Sequence, residues 1–398
     1  MVWIDKIVFN LLWFYVLLIP CSGLRLSLPY SLDRYWRWGE VVILVAFILS
    51  LILKRKKAEK ERIKLPFTFL AFYVLFIAWL FLSYFWSIDQ EVTFFMVTYF
   101  LRFNILIVFL LIGIIKTDSQ VVTIMKAYVL GCLISSLDTV HLFYQGVGFG
   151  GIYTNRYAGS GFDPNDLGLT LSLGIPMTWY VITNQKKYIS KLFYFVCVTF
   201  SIYAIFLTGS RGAFIASLAA ILVIPLTYLK QAMRLKILLL FIIAMSAFLI
   251  ANFVPVTTFE RFSRIPAELR GGHLSQRIYL WEAGFQVYQN NPILGVGAGA
   301  FPYAMSKFYG GMTVAHNTFL SILAEEGLIG LTFFILIILA LLNKIRFFPS
   351  LKRNIWFILM FTWVIGASSL TWDYFIQTWF LLGLAAAQIS VQIKTNES

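Results

Sequence analysis

Residues 317–342 read NTFLSILAEEGLIGLTFFILIILALL, and the apolar character of this segment indicates the fold class. A helix crosses a bilayer when about 17–25 consecutive residues are mainly apolar, and the stretch is long enough. Glu325 and Glu326 lie in its first half, and His316 directly precedes it. The sequence therefore predicts a membrane helix with an imidazole at one end, where a titratable group is a candidate for proton transfer.

Similar apolar stretches recur along the chain, in which 60% of the residues are hydrophobic and only 13% are charged. A soluble domain could not bury that much apolar surface. We predict an all-α integral membrane protein with about twelve transmembrane helices, which form a single polytopic membrane domain over residues 1–398. The predicted spans are 3–22, 40–53, 66–86, 93–115, 120–143, 164–183, 190–208, 212–229, 236–254, 317–342, 354–370 and 374–392.

The short loops between these spans set the predicted orientation. Residues 54–64 hold seven basic side chains, which places this loop in the cytoplasm by the positive-inside rule. Alternation then puts both termini in the cytoplasm and residues 255–316, the one long segment between spans, on the outer face. The net charge of +14 does not indicate nucleic-acid binding, because the basic residues are spread over short loops.

The basic residues predicted on the outer face differ in type from the cytoplasmic ones, which are mostly lysine. A planar, bidentate guanidinium is preferred where phosphate or carboxylate is bound, whereas orientation needs only a positive charge. We therefore expect an anionic lipid headgroup or a lipid-linked phosphate as ligand. The outer set comprises Arg25, Arg34, Arg37, Arg156, Arg211, Arg261, Arg264, Arg270, Arg277 and Lys307.

The long segment 255–316 is predicted to contain helices. One runs from a cap at Ser275 to Asn290, and its apolar stripe favours a helix lying on the membrane surface with Trp281 as an interfacial anchor. That stripe comprises Ile278, Trp281, Phe285 and Tyr288. The following Gly295–Phe301 looks like a phosphate-binding loop but lacks its lysine, so a close-packed turn is predicted.

Several polar residues lie within the predicted spans. Glu325 is assigned a buried structural or proton-relay role, because an isolated charge at that depth is costly. Arg102 and Asn104 are candidate partners of Glu325, and Asp138 with His141 is a candidate local pair. The predicted outer face has no aspartate pair or His/Cys cluster, so no metal site is expected there.

The motifs of the second half of the chain, taken in order, resemble those of the O-antigen ligase and polymerase superfamily. The resemblance covers about residues 150–335 and lies in the ordered combination, since each motif alone is weak. The motifs are Arg156-Tyr157-Ala158-Gly159 with Pro164-Asn165, Thr208-Gly209-Ser210-Arg211-Gly212-Ala213, Arg277 with Trp281, Pro292-Ile293-Leu294-Gly295-Val296-Gly297, and His316-Asn317-Thr318-Phe319-Leu320 with Glu325-x-Gly327-Leu328-Ile329-Gly330.

The resemblance implies a GT-C-like glycosyltransferase of the bacterial inner membrane that works on the periplasmic side without a metal or other cofactor. It implies a glycan on undecaprenyl diphosphate as donor. The acceptor is the lipid A core in ligases and a second lipid-linked glycan in polymerases. His316 matches the family's histidine and is expected to act as the base. Arg211 and Arg277, with Arg156 as a weaker third, are expected to bind the diphosphate.

Two alternatives to a ligase stay open. A polymerase would share the motifs and the donor, and a ligase is preferred because the outer hairpins, apart from residues 255–316, are short and leave room for a lipid-borne acceptor. A secondary transporter ranks lower. Twelve spans with cytoplasmic termini would suit it, but no internal repeat is evident and the arginines crowd one face.

Overall fold

The structure is a computed structural model that describes residues 2–21, 44–45, 47–48, 65–150, 155–159, 161–228, 233–272 and 276–395. Within them the chain is all-helical, as predicted, and contains no β-strand. The basic loop at 54–64 lies outside the described residues, and so does the predicted span at 40–53 apart from residues 44–45 and 47–48.

The helices follow one another through short connections. A π-helical turn, Leu101–Ile105, lies between the helices Gln90–Phe100 and Leu106–Ile114. The α-helices are α1 (Val2–Leu18), α2 (Phe67–Leu82), α3 (Gln90–Phe100), α4 (Leu106–Ile114), α5 (Asp118–Tyr144), α6 (Pro164–Thr183), α7 (Tyr188–Thr208), α8 (Arg211–Ile221), α9 (Val223–Tyr228), α10 (Met233–Phe253), α11 (Val256–Ser263), α12 (Ile265–Gly271), α13 (Arg277–Asn290), α14 (Phe301–Tyr309), α15 (Thr318–Ile345), α16 (Ser350–Ala367) and α17 (Ile376–Thr395).

Among the described residues, seven helical segments are long and apolar enough to cross a membrane. An eighth is obtained if Leu239–Phe253 and Val256–Glu268, which are bent by 106° relative to each other, form one span. The seven are Trp3–Cys21, Phe67–Phe85, Gln90–Ile114, Asp118–Tyr144, Tyr188–Thr208, Thr318–Ile345 and Ile376–Lys394. The predicted spans at 164–183, 212–229, 236–254 and 354–370 also form helices but are not among the seven. The chain is therefore multi-pass, and the predicted number of twelve is not confirmed.

The helices form two compact units, each built from segments that are distant in sequence. Arg156 and Arg211 belong to the first unit, whereas Arg277, His316 and Glu325 belong to the second. The predicted single membrane domain stays a prediction. The first unit comprises Met1–Glu61, Ile114–Ile265 and Pro349–Gly366, and the second comprises Arg62–Gly113, Pro266–Phe348 and Ala367–Ser398.

In the first unit α6 is the central helix. It packs against α5, α7 and α8, and every residue from Leu167 to Ile182 is buried. Gly168 allows α8 to come close, since a Cβ at this position would collide with the Cβ of Ala213. This packing brings the start of α6 next to the start of α8, where the candidate arginines lie.

The second unit is organised around Trp379 of α17. The rings of Tyr73, Phe76, Phe100 and Phe334 lie with their centroids 5.0 to 6.1 Å from the ring of Trp379. All five side chains are buried, and they join α2, α3, α15 and α17 into one core. Aromatic pairs at these distances add to the stability gained from burial. The core holds α15, the helix that His316 precedes.

Contacts between loops agree with the predicted alternation of the spans within each unit. In the first unit Lys352 Nζ lies 2.9 Å from Asp118 Oδ1, which joins two loops that are both predicted to be cytoplasmic. In the second unit the indole N–H of Trp86 donates to the carbonyl oxygen of Leu294 at 3.1 Å. This bond joins two loops that are both predicted on the outer face. The side of the membrane that each set faces stays a prediction.

Candidate functional site

The hairpin Thr208–Gly212 joins α7 to α8 and makes Arg211 the first residue of α8. Gly209 ends α7 in the left-handed region, with φ 58° and ψ 21°, a conformation that favours glycine. Ser210 caps α8 by accepting a hydrogen bond from the Ala213 N–H at 3.3 Å. A helix N-terminus carries partial positive charge, and Arg211 adds a full charge to it. The hairpin therefore favours an anion.

Arg156 lies against this hairpin. Its Nε donates to the carbonyl oxygen of Thr208 at 3.0 Å, and its Nη2 donates to Asn165 Oδ1 at 3.0 Å. The same Asn165 oxygen accepts a hydrogen bond from the Ser210 hydroxyl at 2.9 Å. These bonds tie the start of α6 to the hairpin, so the structure brings the predicted residues Arg156 and Arg211 together.

A third arginine, Arg261 of α11, completes an arginine cluster with Arg156 and Arg211. Its Nε donates to the carbonyl oxygen of Gly209 at 3.2 Å, and its charge and that of Arg211 repel each other. A Cβ built on Gly209 would lie 3.5 Å from Arg261 Nε and 3.6 Å from Arg156 Cγ. The sequence pattern placed Arg261 on the outer face but did not single it out, because its contact with Gly209 crosses 52 residues.

His316 directly precedes α15, as predicted. Its φ of 47° lies in the left-handed region, which is uncommon for a residue with a side chain. Asn317 caps α15 by accepting a hydrogen bond from the Phe319 N–H at 3.0 Å. On the other side, Ala315 is fully buried and its carbonyl oxygen accepts a hydrogen bond from the Trp281 indole N–H at 3.1 Å. The partly exposed imidazole thus stands between two fixed backbone positions.

The helix predicted within the long loop is α13, and the side that it packs against other helices is not the predicted apolar stripe. Phe285 of the expected stripe is 50% exposed, and the Trp281 indole N–H donates to the Ala315 carbonyl oxygen, while contact of the stripe with a membrane surface stays a prediction. The predicted cap, Ser275, lies outside the described residues, and the helix starts after Gln276 in the left-handed region. Packing against α14 and α15 selects the buried face, which comprises Leu280, Ala283, Gly284 and Val287.

Arg277 is the first residue of α13 and is partly buried. Residues four apart are neighbours on a helix surface, so Arg277 and Trp281 lie on the same side of α13. Because Trp281 contacts the residue before His316, Arg277 and His316 belong to the same end of the second unit. The structure thus groups two of the predicted site residues here and the other two in the arginine cluster.

Glu325 is buried, and its carboxylate fills a cradle formed by the turn Gly295–Phe301. Oε2 accepts hydrogen bonds from the Gly299 N–H at 2.7 Å and the Tyr374 hydroxyl at 2.9 Å. Oε1 accepts a hydrogen bond from the Phe301 N–H at 3.3 Å. The turn is therefore close-packed, as predicted, and the carboxyl group that it holds is the protein's own.

A break in α15 allows this turn to reach Glu325. Gly327 has φ 66° and ψ −168° within the helix, and a Cβ there would collide with the carbonyl oxygen of Ile293. The Leu328 N–H donates to the carbonyl oxygen of Pro292 at 2.9 Å, which supplies an acceptor where the helix is interrupted. These contacts give Glu325 a structural role, and a relay role stays a prediction.

The two candidate partners of Glu325 differ in position. Asn104 is buried, and its Nδ2 donates to the carbonyl oxygen of Tyr374, so it supports Glu325 through Tyr374. Arg102 lies at the surface, with its guanidinium 5.2 Å from the ring centroid of Phe103. The described hydrogen bonds to the Glu325 carboxylate come from backbone and tyrosine donors instead of a guanidinium.

Two further carboxyl groups lie near Glu325. Glu326 and Asp373 are both buried, and the Tyr374 hydroxyl lies 3.4 Å from Glu326 Oε1. Burial away from water raises the pKa of Asp373, which lies in the connection before α17, and so favours its protonated form. The sequence did not predict this group, because Asp373 reaches it from a segment far along the chain.

Residues 195–335 match the family model described as O-antigen ligase. The match includes the hairpin that carries Arg211, all of α13 and the start of α15 with His316, and it begins after Arg156. No curated protein matches the chain closely enough to add a relative. The chain is a multi-pass membrane protein whose residues 195–335 match the O-antigen ligase family, and this match confirms the resemblance to the O-antigen ligase and polymerase superfamily.

Proposed function

We propose that the protein is a metal-independent O-antigen ligase that transfers a glycan from undecaprenyl diphosphate to a lipid A core sugar on the periplasmic face of the inner membrane. The observation that carries the proposal is an apolar cavity beside the arginine cluster, within the first unit. A polyprenyl diphosphate has the matching chemistry, because an anionic diphosphate is joined to a long apolar chain.

The apolar cavity has a volume of about 450 Å³ and lies among α6, α7, α8, α9 and α10. Phe206 and Phe214, which line it, stand on either side of the hairpin and pack against Phe262, the neighbour of Arg261. Along α7 its lining extends from Phe206 back to Phe195, which is about 16 Å of helix. An apolar chain can therefore run from the arginine cluster into the apolar interior of this unit.

The arginine cluster suits a diphosphate in charge and in geometry. Guanidinium groups form paired hydrogen bonds with phosphate oxygens, and Arg156, Arg211 and Arg261 surround one backbone turn. The repulsion between Arg211 and Arg261 would be relieved by a bound anion.

The transfer itself needs a base and a stabilised leaving group. The acceptor hydroxyl gives its proton to His316 while its oxygen bonds to the anomeric carbon. The bond from that carbon to the diphosphate oxygen breaks, and its electron pair leaves with the diphosphate. Arg211 and Arg277, with Arg156, stabilise the charge that develops there. Direct displacement inverts the anomeric configuration.

The break in α15 is also a feature expected of a secondary transporter. In this chain the turn Gly295–Phe301 occupies the break, and two of its N–H groups bind Glu325. A break that is filled by the protein's own groups does not offer an ion or substrate site. Together with the family match, this favours glycosyl transfer over transport.

Transfer by the purified protein tests the proposal. A defined polyprenyl-diphosphate glycan is offered with a lipid A core acceptor or with a second lipid-linked glycan, and the products are identified by mass spectrometry. Glycan on the lipid A core supports a ligase, and longer chains on the carrier would identify a polymerase. His316→Ala should lower the rate about 10²–10⁴-fold with donor binding intact. Absence of both products from protein that binds the donor would contradict a transferase.

The cavity is tested separately by donor chain length. Ser217 lines the cavity, so Ser217→Phe should weaken binding of a long-chain polyprenyl diphosphate about tenfold and leave a short-chain analogue unaffected. Leu222→Phe is the matched control, because Leu222 follows the same helix and is exposed. Equal losses for both chain lengths would show that the cavity does not hold the lipid chain.

A further inference from the structure

We propose that Trp281 is a positioning residue for His316: its indole N–H holds the carbonyl group of Ala315 and so fixes the direction of the imidazole. The inference rests on the proposed function, in which His316 is the base. It concerns a residue to which that function assigns no role.

The carbonyl group of Ala315 requires a donor. Ala315 is fully buried, and a buried carbonyl oxygen without a partner is unfavourable. The Trp281 indole nitrogen lies 3.1 Å from that oxygen. An indole N–H can only donate, so the direction of this bond is unambiguous.

This bond matters because the backbone of His316 is in a disfavoured conformation. A φ of 47° places the Cβ of His316 too close to its own backbone, and such conformations persist only where the surroundings enforce them. Asn317 holds the backbone on one side of His316, and the bond from Trp281 holds it on the other. Without the indole donor, the peptide group between Ala315 and His316 can rotate and redirect the imidazole.

The donor itself stands on a well-packed helix. Leu280, Ala283 and Val287 of α13 are buried in one cluster with Ala315. Trp281 therefore cannot move relative to Ala315 unless α13 leaves this cluster. A rigid helix is the kind of support that holds a reacting group to within a fraction of an ångström.

The test replaces the indole by a ring that cannot donate. Trp281→Phe should lower kcat about tenfold, because a small displacement of a reacting group is costly, and should leave donor affinity and the KM of the acceptor unchanged. Trp86→Phe is the matched control: in the same unit, Trp86 donates to the Leu294 carbonyl oxygen at 3.1 Å, away from His316. An equal kcat for the two variants would overturn the inference.

A second measurement separates positioning from general structural support. In a His316→Ala background there is no imidazole to position, so adding Trp281→Phe should cause no further loss of the residual rate. A further tenfold loss would show a merely structural role and overturn the inference while leaving the base in place. Near-normal transfer by His316→Ala alone would instead remove the proposed base, and this inference with it.

Discussion

Two glycine-containing turns in this molecule differ in the groups that surround them: one encloses a carboxyl group of the protein, and the other is surrounded by arginines. The turn Gly295–Phe301 has the more suggestive sequence for phosphate binding, but its N–H groups already bind the carboxylate of Glu325. The hairpin Thr208–Gly212 has a less suggestive sequence, yet three arginines meet around Gly209. A glycine pattern thus predicts the backbone conformation of a turn. The side chains packed around the turn decide whether it binds an acidic group of the protein or of a ligand.

The two turns are also expected to contribute to different properties of the protein, one to its stability and the other to donor binding. In the turn Gly295–Phe301, the hydrogen bonds to Glu325 give partners both to buried backbone N–H groups and to a buried carboxyl group. These hydrogen bonds therefore stabilise the second unit. The hairpin keeps like charges close to one another, which favours an anionic ligand. We therefore expect changes in the turn Gly295–Phe301 to affect unfolding and changes around the hairpin to affect donor affinity.

The largest difference is expected between two alanine substitutions at left-handed glycines. In Gly295→Ala the new Cβ collides with the Glu325 carbonyl oxygen, so we expect a loss of about 4 kcal/mol in unfolding free energy or failure to fold. In Gly209→Ala the nearest atom lies 3.5 Å away, and only the backbone strain of about 1–2 kcal/mol applies. Thermal unfolding in detergent measures both, and similar losses would remove the distinction between the turns.

Removing the Glu325 carboxyl group should have the next largest effect. Glu325→Ala leaves the N–H groups of Gly299 and Phe301 without their acceptor, so we expect a loss of about 3 kcal/mol in unfolding free energy. Glu325→Gln keeps one acceptor oxygen and should lose about 1 kcal/mol. Glu282→Ala, at an exposed carboxylate of α13, is the control. If Glu325→Ala were as stable as the wild type in the same unfolding assay, the hydrogen bonds between Glu325 and the turn would not contribute to stability, contrary to this prediction.

At the hairpin, Arg211→Ala should leave unfolding nearly unchanged and weaken donor binding about a hundredfold, because one charged contact with the diphosphate is lost. Arg211→Lys keeps the charge but cannot form paired hydrogen bonds, so we expect about a tenfold loss. Affinity for a short-chain polyprenyl diphosphate is the quantity to measure. Full affinity of the lysine variant would show that only the charge of Arg211 matters.

The smallest effect is expected for the arginine that the sequence did not single out. Arg261→Ala should weaken donor binding about fivefold to tenfold, because Arg261 contacts the hairpin through the carbonyl oxygen of Gly209. Arg264→Ala is its control, since Arg264 is exposed and lies three residues farther along the chain. Equal affinities for the two variants would limit the binding cluster to Arg156 and Arg211.

Much of the fold was predictable because a membrane-spanning helix requires a long apolar stretch, which is visible in the sequence. Long apolar stretches predicted most helices, and the start of α15 was placed correctly beside His316. The face of α13 was not predictable, since Trp281 and Phe285 are apolar and so is the opposite side with Leu280 and Val287. Periodicity cannot choose between two apolar faces, and only the neighbouring helices decide.

In the candidate site, too, local sequence motifs predicted some residues, and contacts between distant segments were not predicted. The order of the sequence motifs alone indicated Arg211 and His316, and the family match includes both residues. Arg261 and the bond from Trp281 to Ala315 were missed, because these contacts cross 52 and 34 residues of sequence. Local patterns carry no information on which distant segment supplies a partner.

The amino-acid sequence alone indicated a helical membrane protein whose residues 195–335 match the O-antigen ligase family, because apolar length and motif order do not depend on how the helices pack. Only the tertiary structure decided that Glu325 fills the glycine turn, that Arg261 joins the arginine cluster and that Trp281 holds the backbone before His316. The physical reason is that hydrogen bonds and charge interactions act over a few ångströms, and packing alone brings distant segments within that range.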